Sequence, residues 1–478
     1  MKGRKFYVDV MQDSAEVTGS FIPCIVKIDD QTIKFAVDCG MYQEKGYEEQ
    51  NQNFPVIPEN VEFVILTHNH VDHNGRLPYL VREGFKGRIL TTEVTKRILG
   101  RALRDNAKVI SDTSKRKNKQ ALYDTQDVSN TMALVEGYGY NYPVRVNDNI
   151  TVTFIPNGHL IGAACVLVQI HCPGESKDIN LFFTGDYNSK NMFFKVPPVR
   201  KWITELPLTI VTESTYGNME SSQIQKCFRK NILQALKQKK TIIIPVFSLG
   251  RAQEILYVLR EMKHKYPSYF NEVPIYYDGK LSFYYTKKYF ELMDEGLVHF
   301  YFHKKAFIPE DMKYVEIDEG ACRDDIVKDW KCKIIVTTSG MGSYGPAQTY
   351  IPAFIGKPNA LIHFTGYCAE GTFGHTLKAA PQGSIVEIGG SKTIKRAEVE
   401  YTNEFTAHAK ADELLKFLKK FKNPQFIMVN HGESQTKDIF ADRILQEVGV
   451  ENVGILGREY FYRVDQNGFV KSLTSKFL

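Results

Sequence analysis

The stretch Val61–Leu80, VEFVILTHNHVDHNGRLPYL, decides how the chain is read. Val61–Leu66 is apolar and rich in β-branched residues, the composition of a buried strand. Thr67 ends it, and His68, His70, Asp72 and His73 follow at once, ahead of a helix predicted over Arg76–Glu83. Side chains two apart on an extended backbone share a face, so His68 and His70 aim at one point. The turn that follows can swing Asp72 and His73 toward a second point nearby. Imidazoles with a carboxylate suit zinc or a similar first-row ion, and the split cluster suits two of them. The bland alternative is that these are polar loop residues that happen to be close. A buried strand feeding straight into three histidines and an aspartate has no packing use, however, whereas a metal site does.

With 478 residues, 43% of them hydrophobic and 24% charged, the chain can build two or more domains with real cores and is excluded from the disordered class. A net charge of +6 is compatible with a polyanionic substrate and decides little more. Eight scattered cysteines without a C-x-x-C pair read as reduced thiols of a cytoplasmic protein. There is no apolar run long enough to span a bilayer, and MKGRKFYVDVMQ lacks the apolar core of a leader.

The strand-then-ligand device recurs along the chain. Lys34–Val37 delivers Asp38, which can accept a hydrogen bond from a metal-bound imidazole and fix its ring direction; an ordinary turn former is the alternative. Ile150–Ile155 runs into Pro156-Asn157-Gly158-His159, with His159 placed as a further ligand. Asn180–Thr184 runs into Gly185-Asp186, whose two oxygens can bridge two ions. Leu208–Thr212 leads to Glu213, Phe405-Thr406-Ala407-His408 opens a helix predicted over Asp412–Lys420, and Gln425–Asn430 delivers His431. Through Phe354 the strands Thr241–Val246, Val273–Tyr277 and Lys333–Thr337 alternate with helices, the pattern of a parallel α/β domain. Ser248 reads as the N-cap of a helix over Ser248–Met262, and that turn, with Arg251 beside it, can hold an anion or be a plain capped start. Val94–Ala121 is helical in pattern and dense in Lys and Arg, either a solvated face or a phosphate-contacting arm.

H-x-H-x-D-H resembles the signature of the metallo-β-lactamase superfamily. With Glu16–Ser20, Gly158-His159, Thr184–Asp186, Glu213, Pro245–Glu254, Gly366–His375, Phe405–His408 and His431-Gly432-Glu433, the chain resembles the β-CASP group of metallo-β-lactamase-fold ribonucleases over essentially its whole length. The resemblance implies an α/β fold: an αββα sandwich over residues 1–217 and 375–478, with a β-CASP α/β domain inserted at 218–374. It implies two zinc ions, with manganese as the substitute: His68, His70 and His159 on one, Asp72, His73 and His408 on the other, Asp186 bridging. Asp38 and His431 support the ligands from behind. The implied function is hydrolysis of single-stranded RNA by water that the two metals activate, in RNA processing or decay, with Asp72 orienting the water and His375, held by Glu213, protonating the leaving 3′-oxygen. His363 is a weaker candidate for that histidine. Ser248, Arg251, Ser339 and Tyr367 are candidate RNA contacts, with Tyr216 and Tyr344 as guesses for base stacking. Lys410 departs from the aspartate that many relatives carry there. Rival readings are a catalytically silent RNA-processing scaffold, a DNA nuclease of the same fold and a small-molecule hydrolase. Homodimer formation stays open.

Overall fold

The computed structural model describes residues 6–14, 17–44, 46–301, 308–315, 320–366, 368, 370–458 and 460–474. Part of Glu16–Ser20 and all of Tyr367 lie outside the described residues. The chain divides into two compact units, Met1–Asn191, Lys195–Ser222 and Ala407–Leu478 in one, Met192–Phe194 and Gln223–Thr406 in the other. The second unit thus runs past 374, where the sequence reading ended the insertion, because Glu398–Tyr401 pairs in parallel with Ala360–Phe364 and extends its sheet.

In the first unit two sheets stack. One has eight strands in the order Gly468–Thr474, Tyr460–Asp465, Phe6–Val10, Ile22–Ile28, Gln31–Val37, Phe63–Ile65, Arg88–Thr92, Val135–Tyr138. The other has seven, Val453–Ile455, Pro424–Asn430, Leu208–Glu213, Ile179–Phe183, Ala164–Ile170, Ile150–Pro156, Pro143–Arg145. Alternation of side chains along each strand explains why both faces are apolar. Leu181, Phe183, Val211 and Met428 pack with Val8, Val26, Phe35 and Ile65 of the facing sheet, while Phe182, Ile210, Ile427 and Val429 pack outward against the helices Ala411–Leu418 and Ser434–Glu447. The outer face of the eight-stranded sheet is covered in the same way by Leu77–Arg82, Glu93–Arg116 and Thr125–Ala133. This is the αββα sandwich, and its strand ends supply the ligands. The helix predicted over Arg76–Glu83 is Leu77–Arg82, flanked by Arg76 and Glu83 with Pro78 in its first turn, and a further short helix, Val71–Asn74, precedes it within the ligand turn. The hairpin Tyr460–Thr474, which the sequence reading passed over, closes on Phe6–Val10 through Val8↔Val464.

The second unit is built on six parallel strands in the order Met312–Tyr314, Ile275–Asp278, Ile334–Thr337, Thr241–Pro245, Ala360–Phe364, Glu398–Tyr401, with apolar clusters on both faces. Asp278 is fully buried yet satisfied by a bidentate pair with Arg323 (2.7 and 3.0 Å) and the Tyr350 hydroxyl (2.9 Å). The helix expected from Ser248 starts at Arg251: Gly250 caps it at φ +81°, its N–H donating to Gln253 Oε1, a conformation open to glycine and strained for serine. Among the described residues no helix is long and apolar enough to cross a membrane.

Candidate metal centre

Six strand ends of the first unit converge. His68, His70, Asp72 and His73 follow Phe63–Ile65 and Asp38 follows Gln31–Val37; from the other sheet His159 follows Ile150–Pro156, Asp186 follows Ile179–Phe183, Glu213 ends Leu208–Glu213 and His431 follows Pro424–Asn430. The crossing of chains is tight enough that Gly40 admits no side chain: a Cβ there would lie 1.6 Å from the Asp72 carbonyl oxygen. Asn157, which the sequence reading did not single out, ties two ligand loops together by donating to the carbonyls of Thr184 (3.2 Å) and Asp186 (2.9 Å). Its place in the strand-end turn before Gly158-His159 was the available signal.

The ligand atoms form two groups, His68, His70, His159 and Asp186, and Asp72, His73 and His431, each with all atoms within 4.8 Å of one another. Asp186 lies between them. Its Oδ2 is 3.5 Å from Nε2 of both His68 and His159, and its Oδ1 is 3.3 Å from His73 Nε2 and 3.5 Å from His431 Nε2. Oδ1 is buried and accepts no hydrogen bond among the described residues. Imidazole nitrogens also face one another at 3.1 to 3.2 Å, His68 to His70, His70 to His159 and His73 to His431. Lone pairs spaced around a point, at distances too long for direct bonding to the central carboxylate, fit a cation on either side of Asp186.

The electrostatics agree with that fit. Burial drives His68 and His159 well below the usual histidine range and His70 down to about 4, a direction that favours the neutral imidazole a metal takes. Burial also lowers His73, but Asp186, Asp38 and Asp72 outweigh it and hold that ring well above its ordinary value. Asp186 is kept far below the carboxylate range, burial being overcome by His431, His73 and His68. Three carboxylates in one buried pocket call for positive charge, which a divalent ion supplies. Behind the ligands, Asp38 takes the His73 Nδ1 side at 2.7 Å and accepts from Thr67 N at 2.8 Å; Thr67 Oγ1 in turn lies 3.0 Å from His68 Nδ1.

Two histidines exchange the places given to them by the sequence reading. His431, expected behind the ligands, presents Nε2 to the second group, 3.7 Å from Asp72 Oδ2, with Nδ1 3.0 Å from Thr215 Oγ1. His408, expected among the second set of ligands, instead gives its Nδ1 to Glu213 at 2.9 Å and holds Nε2 3.9 Å from Asp186. The reason is backbone position. His431 leaves the strand beside Glu213 with φ +47°, turning inward, whereas His408 sits on a loop pinned by Ala409 N to Tyr187 O. Glu213 spends its carboxylate within this unit, on His408, Thr215 Oγ1 and the Tyr187 N–H. Burial would lower His408, but Glu213 and Asp186 raise it to about 8. Lys410, buried, lays its ammonium 3.2 Å above the Tyr216 ring, which stands edge-on to His408 at 6.1 Å.

The remaining candidates lie in the second unit. His375 is exposed on helix Phe373–Ala379, its N–H donating to the cap Thr372 Oγ1. His363 is a core histidine, bonded to Asn231 and packed on Phe228, and burial takes it down to about 4. Arg251 is buried and occupied by Glu254 and the Thr365 carbonyl; Ser339 bonds Tyr344 through its N–H and hydroxyl; Ser248 offers its carbonyl to Gln253. Arg251 and Ser339 thus spend these polar groups on neighbours within the unit.

An αββα sandwich with histidines and aspartates gathered at its strand ends defines a metal-dependent hydrolase. Family profiles match the metallo-β-lactamase superfamily over residues 28–164, the β-CASP domain over 252–377 and a Zn-dependent metallo-hydrolase RNA specificity domain over 395–454. The chain belongs to the β-CASP group of the metallo-β-lactamase superfamily. It is similar to the transcription termination factor FttA of Methanosarcina mazei, 26% identical over 448 residues (89% of this chain, 67% of the relative). A ribonuclease of Thermus thermophilus is 29% identical over 406 residues (84% and 88%). The endoribonuclease ysh1 of Aspergillus fumigatus is 27% identical over 444 residues (83% and 48%), so there the chain spans about half the relative.

Proposed function

We propose that this chain is a zinc-dependent ribonuclease that hydrolyses phosphodiester bonds of single-stranded RNA. The observation that carries the reading is the pair of ligand groups sharing one buried carboxylate, Asp186. His68, His70 and His159 would hold one ion and Asp72, His73 and His431 the other, with manganese as the substitute for zinc. When bound, two such ions lower the pKa of water to near neutrality and neutralise charge on a phosphoryl group under attack. The nature of the substrate is supported by the RNA specificity profile and by relatives named as ribonucleases. Eight unpaired cysteines fit the reducing cytoplasm.

The chain's own acid–base chemistry falls to Glu213 and His408. By accepting at Nδ1, Glu213 fixes the His408 ring and turns Nε2 toward Asp186, where it can give a proton to the leaving 3′-oxygen. Asp72 Oδ2, set among His73 and His431, can orient the attacking water. His408→Ala is expected to lower kcat by about 10²–10⁴-fold while two metal ions per chain remain, and His375→Ala to lower it by less than ~10-fold, within the range of a merely supporting contact. Cleavage of a 5′-labelled RNA, run beside metal analysis, checks both. Metal loss in the His408 variant, or an equal loss of turnover from His375, would reverse the assignment. The fragment pattern also separates internal cutting from release of mononucleotides.

A further inference from the structure

The helix Glu93–Arg116 carries a charge pattern that packing leaves unexplained. Residues 101–119 hold seven Lys or Arg against Asp105 and Asp112, which is nearly all of the chain's formal +6. With 3.6 residues per turn, Arg97, Arg101, Arg104, Lys108 and Lys115 fall within about 60° of one another around the axis. The opposite side is the buried one, with Leu99, Leu103 and Ala107 in the core. The cations form a straight stripe about 27 Å long on the solvent side.

Local effects account for only part of it. Arg97 and Arg101 have acidic partners one turn away on the same helix, Glu93 and Asp105. Lys115 and Arg116 complement the helix C-terminus. Arg104 and Lys108 lie turns earlier and are exposed, with no carboxylate at ion-pair distance among the described residues, and the exposed Lys117 and Lys119 come after the helix has ended at Arg116, on either side of Asn118 at φ +50°. The start of the stripe is coupled to the metal centre. Thr92 and Thr95 both donate to the Gly162 carbonyl, at 2.7 and 2.9 Å, on the loop that carries His159. A rigid line of cations leading away from the His159 loop suits one occupant, a flexible polyanion already held at the metals.

We infer that this stripe is a track for the RNA backbone outside the metal centre, its cations engaging successive phosphates. The inference rests on the ribonuclease reading for the identity of the polyanion. It is tested with Arg97→Gln, Arg104→Gln, Lys108→Gln and Lys115→Gln combined, since glutamine keeps helix propensity. His408→Ala is placed in both this protein and its reference so that binding is read without cutting. Fluorescence anisotropy follows RNAs of about 30 and about 6 nucleotides between about 50 and 200 mM salt. The long RNA is expected to bind about 10-fold more weakly to the variant, with the slope of log Kd against log salt reduced by about 3, roughly 0.7 for each cation lost. The short RNA is expected to lose much less. A second variant, with Arg and Lys exchanged at the four positions, keeps the charge and is expected to bind like the reference. Equal affinity and slope for the long RNA in the glutamine variant would overturn the track, as would failure of the charge-preserving variant to bind while its thermal melt is unchanged. Polyglutamate binding as tightly as RNA would overturn the assignment to a nucleic acid. Cleavage by the unaltered protein is measured separately: binding through the stripe without any cleavage keeps the track and removes the ribonuclease, and the reverse result does the reverse.

Discussion

Asp186→Asn is expected to strip the metal centre and abolish turnover. Each oxygen of Asp186 faces imidazoles of a different ligand group, at 3.3 to 3.5 Å, and the carboxylate supplies charge that both groups share. Asparagine keeps the shape, removes that charge and turns an N–H₂ donor toward one of the groups. Because bound metal would lower the pKa of water to about 7, a loss on the order of 10³-fold or more in kcat/KM is expected once the ions leave. Metal content by mass spectrometry should fall to below one ion per chain in the same protein that no longer cuts. Two retained ions with undiminished cleavage would show that the groups do not depend on the shared residue.

Arg76→Ala is expected to cost about 3–5 kcal/mol of stability, the penalty of breaking a buried, hydrogen-bonded ion pair. The side chain is fully buried. Its guanidinium donates to the Gly40 carbonyl, to the Asn53 carbonyl at 2.9 Å and to Asp13 at 3.1 Å, and it lies against the rings of Tyr42 and Phe54 at 4.9 and 5.1 Å. Burial raises the Asp13 pKa while Arg76 and Arg458 pull against that rise, so removing Arg76 leaves a poorly solvated carboxylate and orphaned carbonyls together. A drop of about 10 °C in Tm follows at ~2–4 °C per kcal/mol. Lysine should rescue little, since one ammonium cannot span partners arranged around a planar fork. A shift of less than ~2 °C would show that the loop 40–54 holds itself without this residue.

Much of the metal centre was legible because its signals are local. The run from Val61 to His73 changes from apolar to ligand-rich within a few residues, and a strand end is where the backbone stops sending side chains into the core. The same logic applies at His159 and Asp186. The hairpin Tyr460–Thr474 had a turn signal in Asn467-Gly468, but its partner Phe6–Val10 lies at the far end of the chain, and pairing across that separation leaves no mark in either segment. The extent of the second unit was hidden for a similar reason: Glu398–Tyr401 looks like any short strand until it is seen beside Ala360–Phe364.

By itself, then, the order of residues determined which elements form and which side chains are available for metal chemistry, because both follow from neighbours along the chain. Only the tertiary structure decided that His431 joins Asp72 and His73 while His408 turns to Glu213, and that five cations on one helix line up as a stripe leading from the His159 loop. Two histidines after loops of similar composition carry the same local information. Their roles separate only when strands distant in sequence come into register and aim one ring inward at the ligands and the other at a carboxylate.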